Sequence, residues 1–472
     1  MKNVLVLYNG QSMYTPTVQD YLDAFRRYSR NNIHYLHVYA DTRPEFSFDD
    51  YDVVLLTYSV RLCYLENMSP QVRRAIANFR GLKVAAPQDE YQETNKLRVG
   101  LREFGVKLVL TCVPEDKIAW VYPPEMFPGV RFVRVLTGYV PDRLRRLPRD
   151  VIPPLRERKH WIGYRGRHIG YYFGDLSYFK FEVGRRFEAA CDRRGVPHDI
   201  AWDEQSRIYQ KDWFPFIASC RATLGTPSGS NIFDFDGALE RDYKALMMRA
   251  PDTTYEVYRP TIAQKEIEID MGQASPRLFE AAALGTALLL VEGNYSGVVS
   301  PGVDCITVKP DFSNVDAVLD QLGDVAHMQR VVEAAHENII ASGKWGYDCF
   351  VGRIDDEIDR ASAGEAATSG LGDVVHAARK GYEQGFLETL ALKSPAQYPL
   401  SIWLDLSHLR ETHPAHETVY ADAHIHPPVA TSEYGVRRPA GLLLASLWRL
   451  LRGMIPVQVK AAIKSILRAR AR

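Results

Sequence analysis

The chain opens on a short apolar run, "VLVLY" from residue 4, and the same kind of run returns in "IHYLHVYA", "VVLLTYS", "LKVAAPQ" and "KLVLTC". Amphipathic stretches lie between them: "VQDYLDAFRRYSR", "SPQVRRAIANF" and "NKLRVGLREFG". Nearly continuous Val/Leu/Ile runs separated by helical periodicity predict strands buried on both faces, hence a parallel sheet covered by helices. Residues 1–145 read as one Rossmann-like domain. Its first turn, "YNGQSMYTP", has only Gly10 where a dinucleotide site would carry G-x-G-x-x-G, so no such site is expected there.

The proline-rich basic stretch "PDRLRRLPRDVIPPLRERKH" breaks the rhythm and marks residues 146–160 as a connection. A second α/β series occupies 161–346: "HWIGYRG", a helix around "KFEVGRRFEAACDRRG", "HDIAW", a helix around "WFPFIASC", "ATLGTPSG", "SPRLFEAAALGTALLL" and "DCITVKP". Two such units predict a cleft between them, and residues 347–362 read as a closing helix. At 472 residues, 46% hydrophobic, the chain has room for two cores and an extension. Its formal net charge of zero provides no overall field that would favour nucleic acid, which is not an expected partner. The six cysteines form no C-x-x-C pair, which fits a reducing compartment without disulfides. The first apolar run gives way at once to polar and turn residues, predicting a strand rather than a signal peptide. No apolar stretch approaches the roughly 20 residues of a spanning helix. The expectation is a cytoplasmic protein without a transmembrane anchor.

Candidate chemistry begins at Ser275. Ser275 suits a helix N-cap and Pro276 the first helical position, so free amides point out of the helix end there. The peptide dipoles place about half a positive charge at that end and Arg277 adds a full one, which suits a diphosphate. Glu280, one turn further in, suits sugar hydroxyls, as the acidic residue of dinucleotide folds does. The same residues also fit a plain helix start, with Arg277 a solvated charge and Glu280 an acid complementing the dipole. Gly285 then stops the helix before the strand "ALLLV".

The order "GYRGR", Lys180, "LGTPSGSNIFDFDG", "SPRLFEAAALGTALLL" and "YSG" resembles the donor half of GT-B glycosyltransferases. It is especially similar to the group 1, family 4-like bacterial enzymes of surface-polysaccharide and O-antigen assembly, across about residues 160–350. The resemblance implies a GT-B fold: two Rossmann-like domains facing across a cleft, here with a C-terminal helical extension. It further implies that Arg165 and Lys180 neutralise a donor diphosphate, that Ser228, Gly229 and Ser230 form a tight turn against the donor, and that Glu280 takes the ribose hydroxyls. Gly293 to Gly297, including Ser296, would form another loop at the cleft. Many retaining members carry a second glutamate; the position eight residues before Glu280 is Gly272, and Asp270 is the nearest replacement.

In the first domain Asp89 and Glu90 follow the strand "LKVAA" directly, at the carboxyl edge where open α/β sheets bind ligands. They are the candidate bases for an acceptor hydroxyl. "DFD", Asp234 to Asp236, spells a metal-binding pair but lies deep in the second domain, so catalysis is expected without a metal. No cofactor is expected beyond a UDP- or GDP-sugar as donor substrate. Residues 363–440 carry His408, His413, His416, His424 and His426 with no completing ligand pattern and no assigned role. Residues 441–472 contain no acidic residue, and two amphipathic basic segments meet there at Pro456. Leu and Trp opposite a basic stripe suit an anionic membrane surface, the inner face of the cytoplasmic membrane, which a lipid-linked acceptor would require. The leading expectation is transfer of a sugar from a nucleotide sugar to a lipid-linked or polysaccharide acceptor in cell-surface glycan assembly. A nucleotide-sugar epimerase and a non-catalytic membrane-bound scaffold are the alternatives.

Overall fold

The computed structural model of the chain describes residues 1–10, 16–203, 205–208, 212–267 and 271–363, with two short paired strands at Thr431–Ser432 and Gly435–Val436. Asp270, the histidines of the extension and the basic segments of 441–472 lie outside the described residues.

Strands β1 (Asn3–Tyr8), β2 (Asn32–His37), β3 (Val53–Leu56), β4 (Leu82–Ala85), β5 (Leu108–Thr111) and β6 (Arg131–Arg134) form a parallel sheet in the order β2-β1-β3-β4-β5-β6. The unbroken apolar run of β1 has a simple cause. Val4, Val6 and Tyr8 enter the core on one face, while Leu5 and Leu7 enter the core on the other. Burying each such Val or Leu contributes roughly 1.5–3 kcal/mol, so both faces must stay covered.

The second sheet has strands β7 (His160–Arg165), β8 (His198–Ala201), β9 (Cys220–Gly225), β10 (Ala287–Val291) and β11 (Ile306–Val308), in the order β11-β10-β9-β7-β8. It repeats the logic of the first: Ala287, Leu289 and Val291 face one core, Leu288 and Leu290 the other. In each sheet the first strand is flanked by its second and third, so the crossovers diverge on either side of β1 and of β7. Open α/β sheets bind ligands outside the carboxyl ends of the strands at that switch.

The helix Tyr347–Ala361 returns from the second unit to the first, placing Phe350, Val351 and Ile354 in the same core as Val18, Leu22 and Phe25. Its Asp355 accepts the Ser29 hydroxyl at 2.8 Å and the Arg30 N–H at 2.6 Å. The two chain crossings pair directly, Val140 N–H donating to the Trp345 carbonyl at 2.7 Å. Two Rossmann-like units facing each other, tied by a returning last helix, constitute the GT-B arrangement.

The helices Ala238–Arg249 and Tyr255–Ile262 were not anticipated from periodicity. The first starts at Gly237, which has no capping side chain, and the second contains Pro260. The first is capped from "DFD" instead. Asp234 accepts the N–H groups of Leu239 and Glu240, and Asp236 that of Ala238. Among the described residues no group of three His, Cys, Asp or Glu side chains is placed to hold a metal ion, and no helix is long and apolar enough to cross a membrane.

Candidate functional site

A cavity of about 330 Å³ lies between the two carboxyl edges. The first unit contributes Tyr58 after β3, Gln88 to Tyr91 after β4, Cys112 and Val113 after β5, and Thr137 after β6. The second contributes Lys180, Ser228, Gly229, Met271, Gln273, Ser275 and Pro276. Tyr347 of the returning helix completes the wall. Six of the residues anticipated from the sequence therefore share one cavity: Asp89, Glu90, Lys180, Ser228, Gly229 and Ser275.

Lys180 sits on the helix Asp175–Arg194 and makes no ion pair with any described residue. Burial pushes its ammonium down to about 8, repulsion from Arg277 and Arg167 adds to this, and Asp89 across the cavity opposes it. An amine held among like charges is stabilised by an incoming anion. Arg277 reaches the same place from the second position of the helix Pro276–Ala283, donating to the Arg165 carbonyl at 2.8 Å. Together with Lys180, Ser228 and Ser275 it lines a narrower slot running to the ends of β9 and β10. Ser275 occupies the N-cap position, yet its hydroxyl caps no backbone amide, so it remains available to a ligand.

Ser228 and Gln273 exchange backbone hydrogen bonds at 2.9 and 2.6 Å, which pins the turn carrying Gly229. Gly229 has φ 104°, and a Cβ there would lie 3.3 Å from the Met271 carbonyl oxygen. Only glycine takes this conformation without strain.

On the opposite wall the two acids differ. Asp89 is exposed, has φ 54°, and accepts the Tyr91 hydroxyl at 2.6 Å. Glu90 is buried and accepts three hydrogen bonds, from Thr111 Oγ1 at 2.5 Å, the Tyr122 hydroxyl at 2.5 Å and the Cys112 N–H at 2.8 Å. Burial pushes its carboxyl up to about 7, and these three bonds keep it from going higher.

The remaining anticipated residues are not brought into this lining. The Arg165 guanidinium donates to the carbonyls of Ser206, Tyr164 and Asp199, pairs with the Asp199 carboxylate at 2.8 Å and stacks over Phe216. These protein partners leave it little capacity for a phosphate, while its own carbonyl seats Arg277. Glu280 is buried and takes the Trp213 indole N–H at 2.8 Å. The Ser230 hydroxyl is turned inward, accepting the Ile232 N–H at 2.9 Å. Gly293 is exposed in the loop after β10. Ser296, at φ 56°, reaches the site indirectly by donating to Gln273 Oε1 at 2.9 Å. Gln273, Tyr58 and Tyr347 were not anticipated, because a lone glutamine or tyrosine carries no spacing signal.

No protein-family model and no curated protein matches the sequence. Among solved structures the chain is similar to Anabaena HepE in complex with UDP, at 11% identity over 76% of this chain and 100% of that one, with a TM-score of 0.40. It is similar to an alpha-glucosyltransferase in complex with UDP-glucose and DNA containing an abasic site, at 11% identity over 76% and 99% of the two chains and a TM-score of 0.45. Sucrose-phosphate synthase from Thermosynechococcus elongatus follows, at 11% identity over 77% and 100%, with a TM-score of 0.39. At these identities no residue role is carried across.

Proposed function

We propose that this protein is a glycosyltransferase that moves a sugar from a UDP- or GDP-sugar to a hydroxyl-bearing acceptor. The observation that carries the reading is Lys180: an ammonium without an ion-pair partner among the described residues, sharing with Asp89 and Glu90 an interdomain cavity at the carboxyl edges of two parallel sheets. Lys180, Arg277 and the amide end of the Pro276–Ala283 helix take the donor diphosphate, and the Ser228–Gly229 turn approaches it closely.

In the reaction the bond between the sugar C1 and the diphosphate oxygen breaks, and its electron pair leaves with the diphosphate. A bond forms between C1 and the acceptor oxygen, whose proton passes to Asp89. Asp89 is the better placed base because one of its oxygens has no donor among the described residues, whereas Glu90 is already held by three. The fixed cations stabilise the charge that develops on the leaving group, without a metal. Arg165 acts through the backbone that seats Arg277. A ribose contact at Glu280 would use the oxygen that does not take the Trp213 indole N–H.

The acceptor we propose is a lipid-linked or polysaccharide glycan of the cell surface, with the basic segments of 441–472 holding the enzyme against anionic lipid on the cytoplasmic side. Support for this part is the amphipathic sequence alone. The test is turnover of a nucleotide-sugar panel with a lipid-linked acceptor extract, followed by release of UDP or GDP. Acceptor-dependent release that Asp89→Asn abolishes is expected; no release from any donor contradicts the reading.

A further inference from the structure

Gln273 is buried, and its side chain makes three hydrogen bonds to three different segments. Its amide nitrogen donates to the Cys112 carbonyl of the first unit at 3.0 Å and to the Met271 carbonyl at 2.9 Å. Its amide oxygen accepts from Ser296. The backbone of the same residue pairs with Ser228 of the cavity turn in both directions. Cys112 in turn gives its N–H to the Glu90 carboxylate at 2.8 Å. The chain Ser228, Gln273, Cys112, Glu90 thus runs from one wall of the cavity to the other, every link a hydrogen bond to a buried or half-buried group.

Other links between the units bypass this route. Gln92 donates to Glu240 at 3.0 Å, and the Asp234 N–H donates to the Tyr91 carbonyl at 2.8 Å. A general fastening role would be spread over all of them. Gln273 differs in that it joins the turn facing Lys180 to the loop holding Glu90, which immediately follows Asp89. A buried amide with all three groups satisfied has one low-energy orientation, because turning it would set its oxygen against the Cys112 and Met271 carbonyl oxygens, acceptor against acceptors.

We propose that Gln273 is a positioning residue that holds the Asp89–Glu90 loop in register with the Ser228–Gly229 turn, so that an anion bound on the second unit orders the loop after β5 on the first. This rests on the proposed function only in taking a nucleoside diphosphate as that anion. By linkage, the loop must favour the anion as much as the anion favours the loop.

The test is hydrogen–deuterium exchange of the full chain with and without saturating UDP or GDP, whichever binds more tightly. In the wild type the diphosphate is expected to slow exchange at residues 108–113 by about tenfold. In Gln273→Met, which keeps side-chain length and removes the hydrogen bonds, the diphosphate still binds but that slowing disappears. In Gln92→Met, which removes an interdomain link away from Glu90, the slowing persists. Should Gln273→Met not fold, Gln273→Glu places an acceptor against the Cys112 carbonyl and must lose the slowing in the same way. Slowing that survives in the Gln273 variants, that is equally lost in Gln92→Met, or that is absent from wild type despite binding overturns the inference and leaves the proposed function standing. Absence of binding by either diphosphate overturns both.

Discussion

Arg277 and Lys180 come from different helices to line the same slot, where burial and then like-charge repulsion from Arg277 depress the Lys180 ammonium. Neither has an ion-pair partner among the described residues, whereas Arg165 has Asp199 and Arg143 has Asp20. Two unneutralised cations kept together at a helix N-terminus are costly to the empty protein and favourable to an anion.

Lys180→Ala should therefore weaken UDP or GDP binding by about 10- to 100-fold, the range of a charge-assisted hydrogen bond. The empty protein should melt no lower than wild type, since a repulsion is removed. Calorimetric titration and a thermal scan of the same samples check both.

The binding itself should depend on pH. Lys180 loses its proton near pH 8, so affinity should be flat below that and fall as pH rises through it, approaching tenfold per unit while the bound ammonium stays charged. Lys180→Ala should show no such fall. Titrations between pH 6.5 and pH 9.5, roughly bracketing that value, check this.

Glu90 leads to a stability prediction of opposite origin. Its carboxyl rises from 4.5 to about 7 on folding, so the folded state holds the proton more tightly than the unfolded chain does. The resulting stabilisation is fully present below about 4.5 and is lost as pH climbs through about 7. A shift of this size corresponds to about 3 kcal/mol between those limits. Urea unfolding of wild type and Glu90→Gln across this range should show the wild type losing ground to the variant as pH rises.

Asp89→Asn should lower kcat by about 10²- to 10⁴-fold, the usual contribution of a general base. Nucleoside diphosphate affinity should stay within about twofold of wild type, because the cations on the opposite wall are untouched. A matched fall in both would place Asp89 in donor binding instead.

Arg165→Met should act on stability. It removes donors to the carbonyls of Ser206, Tyr164 and Asp199, for a loss of about 2–4 kcal/mol in chemical unfolding. Diphosphate affinity should fall less than in Lys180→Ala, because Arg165 acts only through its carbonyl contact with Arg277.

The sheets were legible because their strands are buried on both faces: "VLVLY" and "ALLLV" can hardly be anything but central strands once amphipathic helices surround them. The edge strand β6, "RFVR", was not named, since two of its four residues are arginines and it lacks that signature. Of the residues that line the cavity, Ser275 came from helix-start chemistry, and Lys180, Ser228 and Gly229 came from the resemblance carried by the order of motifs along the chain. The surroundings of Arg165 and Glu280 were not, because their partners lie far off in sequence: Ser206 is 41 residues from Arg165, and Trp213 is 67 from Glu280. An arginine after a strand looks the same in sequence whether it awaits a phosphate or is held by carbonyls. Gln273 was missed for the same reason, since its meaning lies in Cys112, 161 residues away.

The central claim is that the Lys180 side of the interdomain cavity holds a nucleoside diphosphate. Isothermal titration of UDP and GDP into wild type and Lys180→Ala at neutral pH tests it most directly. One-to-one binding by at least one of the two, weakened at least about tenfold in the variant, is the predicted result. Binding by neither, or binding that Lys180→Ala leaves unchanged, would contradict it.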